Sequence, residues 1–342
     1  MSTTSPMLAR VLKAAVLRGA SDVHAKAGDV FRARVEGQLV PLTKQRLTPQ
    51  QTRALAATFA GLEIEDARLD NLRDFDCSWG VPGVGRFRVN VLRQRSSFMV
   101  VLRVIPFSVP TPEGLGLPDV VTRFAEAEDG LVLVAGPSGS GKTSTIAAMV
   151  HHINRSQQRH VVTLEDPIEY LHRDLSSSIT QREIGSDTDD TATGLQTAMR
   201  QDPDVIVVGE LRDPVALDRA IRAAESGVLV LAAVSAADAA SALVQMVATM
   251  LPEEREVGRM RLAGALRAIL AQRLVVHPAS AGARVPLVEW VEATTSLREA
   301  LAVGGEAAPF RKAIERAAKE GKGETFAHAM AEAGISASGK DV

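Results

Sequence analysis

The sequence predicts an α/β protein made of two unlike parts, and three observations carry that reading. Four short, nearly continuous apolar runs are LVLVA (131–135), VVTLE (161–165), VIVVG (205–209) and VLVLAAV (228–234). Each is followed by helical spacing, the pattern of strands buried on both faces of a parallel sheet covered by helices. The first run leads straight into a glycine-rich loop, GPSGSGKT, and a helical pattern, TSTIAAMVHHI. Upstream, the texture is different: tight turns and alternating strands, closed off by the Pro- and Gly-rich stretch PFSVPTPEGLGLP (106–118), which reads as a linker.

Taken in order, residues 7–19 place apolar side chains at helical spacing until GASD breaks the helix. VFRARVEGQLVPL (30–42) predicts a hairpin turning at Glu36-Gly37, and a helix is expected from Pro49 to Gly61. Three extended runs follow, FDCSWG, RFRVNVLRQ and FMVVLRVIP, completing a small α/β domain with an antiparallel sheet over residues 1–105. The linker covers 106–118, the parallel-sheet core 119–282, and from 283 to 342 the Ala- and Glu-rich chain is expected to form short helices.

At 342 residues the chain can bury two hydrophobic cores. A net charge of -2 supplies no global field for nucleic acid or anionic lipid. With 4% aromatic residues there is no stacking platform either, which disfavours a nucleic-acid translocase. One cysteine, Cys77, excludes a disulfide framework and a Cys-based zinc site within one chain. The N-terminal segment is interrupted by Arg10, Lys13 and Arg18, unlike a signal peptide, and no apolar run approaches the roughly 20 residues of a spanning helix. The expected location is the cytoplasm.

GPSGSGKT fits G-x-x-x-x-G-K-[ST] in the strand-to-helix context that the motif requires. Gly136, Gly139 and Gly141 let the backbone curl so that its N–H groups, with Ser138, Ser140 and Ser144 in the same stretch, face phosphate oxygens. Lys142 is placed to reach the β/γ-phosphates of ATP, and the Thr143 hydroxyl to ligate Mg²⁺. Such a loop needs acids at neighbouring strand ends. Glu165, Asp166 and Glu169 follow one strand; Glu210, then Arg212 and Asp213, follow another. Taken singly, acids there are better explained as helix caps, but two such clusters after two strands of one sheet are harder to dismiss.

GPSGSGKTST, LEDPIEY, QREIGSDT, AMRQDPDVIVVGELRD and AAESG, with GASDVH and GRFRVN ahead of them, resemble in order the type II/IV secretion and pilus motor ATPases. The short N-terminal part resembles the PilT-type twitching-motility branch, and the likeness runs from about residue 5 to 275. That resemblance implies a PAS-like N-terminal domain joined to a RecA-like ATPase domain with a helical C-terminal extension, assembled as a homohexamer. It further implies docking on an inner-membrane platform protein at the cytoplasmic face, with another motor ATPase as a further partner. Carried over by position, Glu169 activates water and Glu210 is the acid near the metal. Arginines of the N-terminal domain reach the γ-phosphate across a domain or subunit boundary. Period-two alternation puts Arg86 and Arg88 on one face, and Arg88 with Arg103 on the next strand is the candidate pair; a solvated sheet face is the plainer explanation.

Two departures stand out. Where the family carries a histidine box after AAESG, this chain reads GVLVLAAVSAADAA, so Ser235 occupies the histidine position, with Asp238 nearby. A serine donates one hydrogen bond and carries no positive charge, so it is either a weaker γ-phosphate sensor or the mark of an accessory subunit with low turnover. SLREALAVG (296–304) resembles the family's retraction segment but has Ala302 where a second arginine belongs, and is amphipathic enough for an ordinary packing helix.

Overall fold

The computed structural model describes residues 5–105, 108–276 and 284–335. Pro106 and Phe107 of the linker lie outside the described residues. The chain divides into two compact units, one running to Ser108 and including Glu169–Leu171, the other comprising Val109–Ile168 and His172 onward.

The first unit opens with α1 (Pro6–Leu17), whose N-cap Ser5 accepts from the Leu8 amide. It buries Leu8, Val11, Leu12 and Ala15, one helical stripe. β1 (Asp22–Lys26), β2 (Arg32–Val35) and β3 (Gln38–Pro41) follow. Glu36 and Gly37 both have positive φ (49° and 79°), the two left-handed residues that a tight two-residue hairpin needs. α2 (Pro49–Ala60) starts in a capping box between Thr48 and Gln51 and stops at left-handed Gly61. A single turn, α3 (Arg68–Asn71), leads into β4 (Asp74–Val81), β5 (Gly85–Gln94) and β6 (Ser97–Ile105). The sheet is antiparallel in the order β3-β2-β1-β6-β5-β4. Phe87, Val89 and Val91 alternate into the core beneath α1 and α2, joined by Leu102 and Phe31.

The second unit contains α4 (Val120–Ala125), β7 (Gly130–Ala135), α5 (Lys142–Ser156), β8 (His160–Glu165) and β9 (Ser178–Glu183). Next come α6 (Thr191–Ala198), β10 (Val205–Val208), α7 (Pro214–Glu225), β11 (Leu229–Val234) and α8 (Ala239–Thr249). α9 (Arg255–Ala265) passes into β12 (Leu266–Val276) with no residue between them. β13 (Arg284–Glu292), α10 (Thr295–Val303), α11 (Ala307–Lys319), β14 (Gly323–Glu324) and α12 (Phe326–Glu332) complete the unit. The strand order is β14-β13-β12-β7-β11-β10-β8-β9, parallel from β12 to β9 and antiparallel at β13 and β14.

The four apolar runs are β7, β8, β10 and β11, and every residue of β7, β10 and β11 is buried. Five strands were not anticipated: β1, β9, β12, β13 and β14. β9 is an edge strand of mostly polar residues, SITQRE, which needs no apolar face on its open side. The expectation of helices from 283 onward is corrected by β13, which lies in the main sheet and pairs with β12 along nine residues. Helix begins only at Thr295. SLREALAVG is indeed a packing helix: Leu297 and Leu301 are fully buried. Arg298 donates to the carbonyls of Ala263, Gly264 and Leu266, so it caps the end of α9.

Candidate nucleotide site

Parallel register assembles the site at the carboxyl edge of the sheet. Val234 of β11 is opposite Ala135 of β7, so the next residues, Ser235 and Gly136, leave the sheet side by side, with the Gly136 amide on the Val234 carbonyl at 3.2 Å. Val208 of β10 is opposite both Ala232 and Leu164. That brings Glu210 and Glu165 to the same edge.

Between β7 and α5 the loop curls through left-handed Gly139 (φ 76°) and Gly141 (φ 92°). Ser138 and Gly139 are exposed, Gly136 and Ser140 buried, and Gly141, Lys142, Thr143 and Ser144 half-buried at the start of the 15-residue α5. The helix N-terminus contributes the N–H groups of its first turn and the positive end of its dipole. Lys142 Nζ donates to the carbonyls of Gly136 (2.7 Å) and Pro137 (3.1 Å), and burial holds its pKa below the ordinary lysine value.

A residue that sequence reasoning missed braces this loop. Gln272 of β12, 4% exposed, donates from Nε2 to the Ser140 carbonyl (2.7 Å) and accepts from the Thr145 hydroxyl at Oε1 (2.6 Å). The backbone runs so close that a Cβ on Gly136 would lie 2.3 Å from Ser140 Oγ and 2.6 Å from the Gln272 carbonyl. One on Gly141 would lie 2.8 Å from Gln272 Nε2. Glycine at both positions is therefore a steric requirement. The available signal was a lone amide within the apolar strand LRAILAQRLVV.

Glu210 has both carboxylate oxygens engaged. Oε2 accepts from Arg212, and Oε1 accepts from the Ser235 hydroxyl at 2.6 Å. The hydrogen bond from Arg212, with that from Ser235, holds its carboxyl below the usual range, so it is a carboxylate at neutral pH. Lys142 is close enough to add to the effect. Glu165 Oε1 accepts from the Thr163 hydroxyl (2.6 Å) and the Gln181 amide (3.0 Å). Asp213 and Asp238 prove to be helix N-caps, accepting from the amides of Ala216 and Ser241.

The structure thus brings together the loop 136–144, Glu210 and Ser235. The other candidates, Glu169, Arg88 and Arg103, belong to the first unit. Glu169 is exposed, and Asp166–Pro167 just before it is cis. Arg88 is exposed and directly opposite Arg103 across the β5–β6 pair. Arg103 is anchored: its Nε donates to Asp22 Oδ1 at 3.0 Å, and Asp22 is 7% exposed.

The residues present suit a nucleotide. The loop is a close-approach cradle that Cβ atoms would fill, and Ser140 Oγ is buried without a hydrogen-bond partner among the described residues. A carboxylate stands beside a lysine at its rim.

An α/β unit with its glycine loop, helix N-terminus and strand-end acid in this arrangement is of the P-loop class. Within that class the chain belongs to the type II/IV secretion system protein family, whose model matches residues 2–317, well past the limit near 275 that the motifs suggested. The type IV pilus ATPase PilU of Pseudomonas aeruginosa is 36% identical over 323 residues, covering 94% of this chain and 83% of that protein. The type IV pilus retraction ATPase PilT of the same organism is 36% identical over 284 residues, covering 82% and 81%. Among solved structures, the pilus retraction motor PilT with bound ADP superposes with a TM-score of 0.80 at 36% identity over 95% of this chain and 96% of that one. The Legionella pneumophila ATPase DotB gives 0.82 at 25% identity over 98% and 96%. No helix among the described residues is long and apolar enough to cross a membrane.

Proposed function

We propose that the chain is an ATP-hydrolysing motor subunit of the type IV pilus retraction kind, acting as a homohexamer at the cytoplasmic face of the inner membrane. Its partners would be a membrane platform protein and, in the same machine, another motor ATPase, with no role for nucleic acid. The observation that carries the reading is the glycine loop braced by Gln272 beside the Lys142–Glu210–Ser235 group. Likeness to PilT and PilU across most of the chain supports it. The units on either side of residues 106–118 would serve as the moving halves.

Bound ATP supplies the phosphoanhydride whose hydrolysis releases free energy, and Mg²⁺ neutralises its phosphate oxygens. The backbone N–H groups of Gly136–Ser144 orient the phosphates, and Lys142 exchanges its two loop carbonyls for phosphate oxygen. Thr143 and Glu210 are assigned to the metal, Glu210 directly or through water. Glu169 takes the proton of the attacking water. Arg88 and Arg103 add positive charge from a neighbouring subunit, which would make turnover depend on assembly. Ser235 senses the γ-phosphate with its single hydroxyl.

One observation favours a second reading, a low-turnover accessory subunit. The Ser235 hydroxyl is spent on Glu210 at the position where the family carries a histidine. Steady-state ATP turnover measured against protein concentration separates the two. Cooperative rise with assembly supports the motor, whereas tight nucleotide binding with almost no turnover supports the accessory subunit. Absence of nucleotide binding, with the parent folded and Lys142→Ala indistinguishable from it, would overturn both.

A further inference from the structure

The segment between β11 and α8, residues 235–238, carries Ser235 at one end and the Asp238 cap at the other. Its backbone is gripped from the C-terminal half of the unit. The Arg273 guanidinium on β12 donates to the Ala237 carbonyl at 3.2 Å from Nη2 and 3.4 Å from Nε. On the adjoining strand β13, Glu289 Oε1 accepts from the Ala239 amide at 2.8 Å. Arg311 of α11 stands 3.6 Å from Asp238 Oδ2.

The same two side chains reach the first residue of α12. The Arg273 guanidinium lies over the Phe326 ring at 4.4 Å from its centroid, and Glu289 Oε2 accepts from the Phe326 amide at 3.4 Å. Phe326 itself is 8% exposed. Glu289 is also 8% exposed, and a carboxylate is costly to bury unless its oxygens are occupied. Its two oxygens divide between the amide at the start of α8 and the amide at the start of α12, each a helix N-terminus that favours negative charge. Arg273 is likewise bifunctional, with a hydrogen bond on one side and a cation–π contact on the other. Simple packing of α12 would be served by apolar residues at both positions. Its neighbour Gln272 holds the phosphate loop, so consecutive residues of β12 brace both loops of the site.

We propose that Arg273 and Glu289 are positioning residues that couple the Ser235 loop to α12, so that the seating of Phe326 sets where Ser235 stands relative to the terminal phosphate. This rests on the nucleotide reading above and adds to it a control element. In one direction, the terminal phosphate fixes the 235–238 loop and, through Arg273 and Glu289, firms the start of α12. In the other, any load or contact that lifts Phe326 slackens the loop and slows the step Ser235 serves. By reciprocity of coupled equilibria, both effects have the same magnitude for binding.

Hydrogen–deuterium exchange of the full-length protein tests this, with ADP and a non-hydrolysable ATP analogue as probes. In the parent, the analogue should slow exchange in both 235–243 and 325–332 several-fold more than ADP does, while both nucleotides protect 136–145. Arg273→Lys keeps the charge but cannot make both contacts. It should raise exchange in 235–243 several-fold without nucleotide, and abolish the difference between the probes in 325–332. Phe326→Leu should raise exchange in 235–243 while retaining an apolar plug, and an unchanged thermal transition would separate this from unfolding. An α12 indifferent to the probe, or a 235–243 segment unaffected by both substitutions, would overturn the coupling. Lack of protection in 136–145 would instead overturn the nucleotide reading, and the nucleotide-free arm would still decide the coupling.

Discussion

The Ser235 hydroxyl donates to Glu210 Oε1 at 2.6 Å, joining the ends of two strands that the sequence places 25 residues apart. Donating its only proton there, the exposed Ser235 engages the acid. A histidine at 235 has a longer reach and a second ring nitrogen, and can carry charge. Ser235→His is therefore expected to raise turnover by roughly 10²-fold, the scale of one preorganised transition-state donor. Steady-state hydrolysis at fixed protein concentration checks this; equal rates would make serine a tolerated sensor.

Removing Gln272 should loosen the loop and the fold together. Gln272→Ala leaves the Ser140 carbonyl and the Thr145 hydroxyl buried without their partner and opens a cavity, a loss of about 2–3 kcal/mol. Gln272→Glu keeps the acceptor for Thr145 but sets a buried carboxylate oxygen against the Ser140 carbonyl, so it should weaken ADP binding and cost at least as much stability as the alanine variant. Urea titration and ADP affinity, measured on both variants, read the two effects separately.

Glu169 is exposed, so its replacement should leave the fold intact. If it is the water-activating base, Glu169→Gln should lower kcat by about 10²-fold or more while ADP affinity stays unchanged. Hydrolysis at the parental rate would remove Glu169 from that role and direct attention to Glu165.

Arg88 and Arg103 are expected to separate. Arg88→Ala should cost about 10³-fold in turnover under assembling conditions and almost nothing in stability, because Arg88 is exposed. Arg103→Ala also removes an ion pair with the buried Asp22, which keeps its Ser21 hydrogen bond; because the Arg103 side chain is 71% exposed, solvent screening limits the loss to below about 1 kcal/mol of stability. Comparing turnover with thermal midpoints for the two variants tests the distinction.

His172 provides a pH signature. Burial, with a smaller contribution from nearby His151, lowers its pKa from 6.5 to about 4, and its Nδ1 is enclosed without a hydrogen-bond partner among the described residues. The unfolded chain then takes the proton more readily than the folded one. Stability present above about pH 6.5 is lost as pH falls toward 4, by at most about 3 kcal/mol. Urea midpoints between pH 7 and 4.5 should fall less steeply for His172→Asn than for the parent.

Legibility differed between elements for identifiable reasons. The Glu36-Gly37 turn, the helix from Pro49 to Gly61 and the four central strands were readable because each rests on local chemistry or on deep burial. β9 hid because an edge strand can be polar. β13 hid because Ala- and Glu-rich helices dominate the composition beyond it. At the site, the loop announced itself by motif, whereas its brace came from 132 residues away, and only folding makes that juxtaposition. Of the two acids after β10, Asp213 caps α7 while Glu210 stands against Arg212.

The joint between α9 and β12 has no intervening loop. A loop there would act as a hinge and absorb rotation of the helix. Instead Ala265 ends one element and Leu266 begins the next, while Arg298 pins the carbonyls on both sides of the join. Residues 255–276 therefore run from α9 into β12 as one continuous segment, with a register shift at Leu266/Ala268, and the same segment carries Gln272 and Arg273, the two side chains that hold the 136–144 and 235–238 loops.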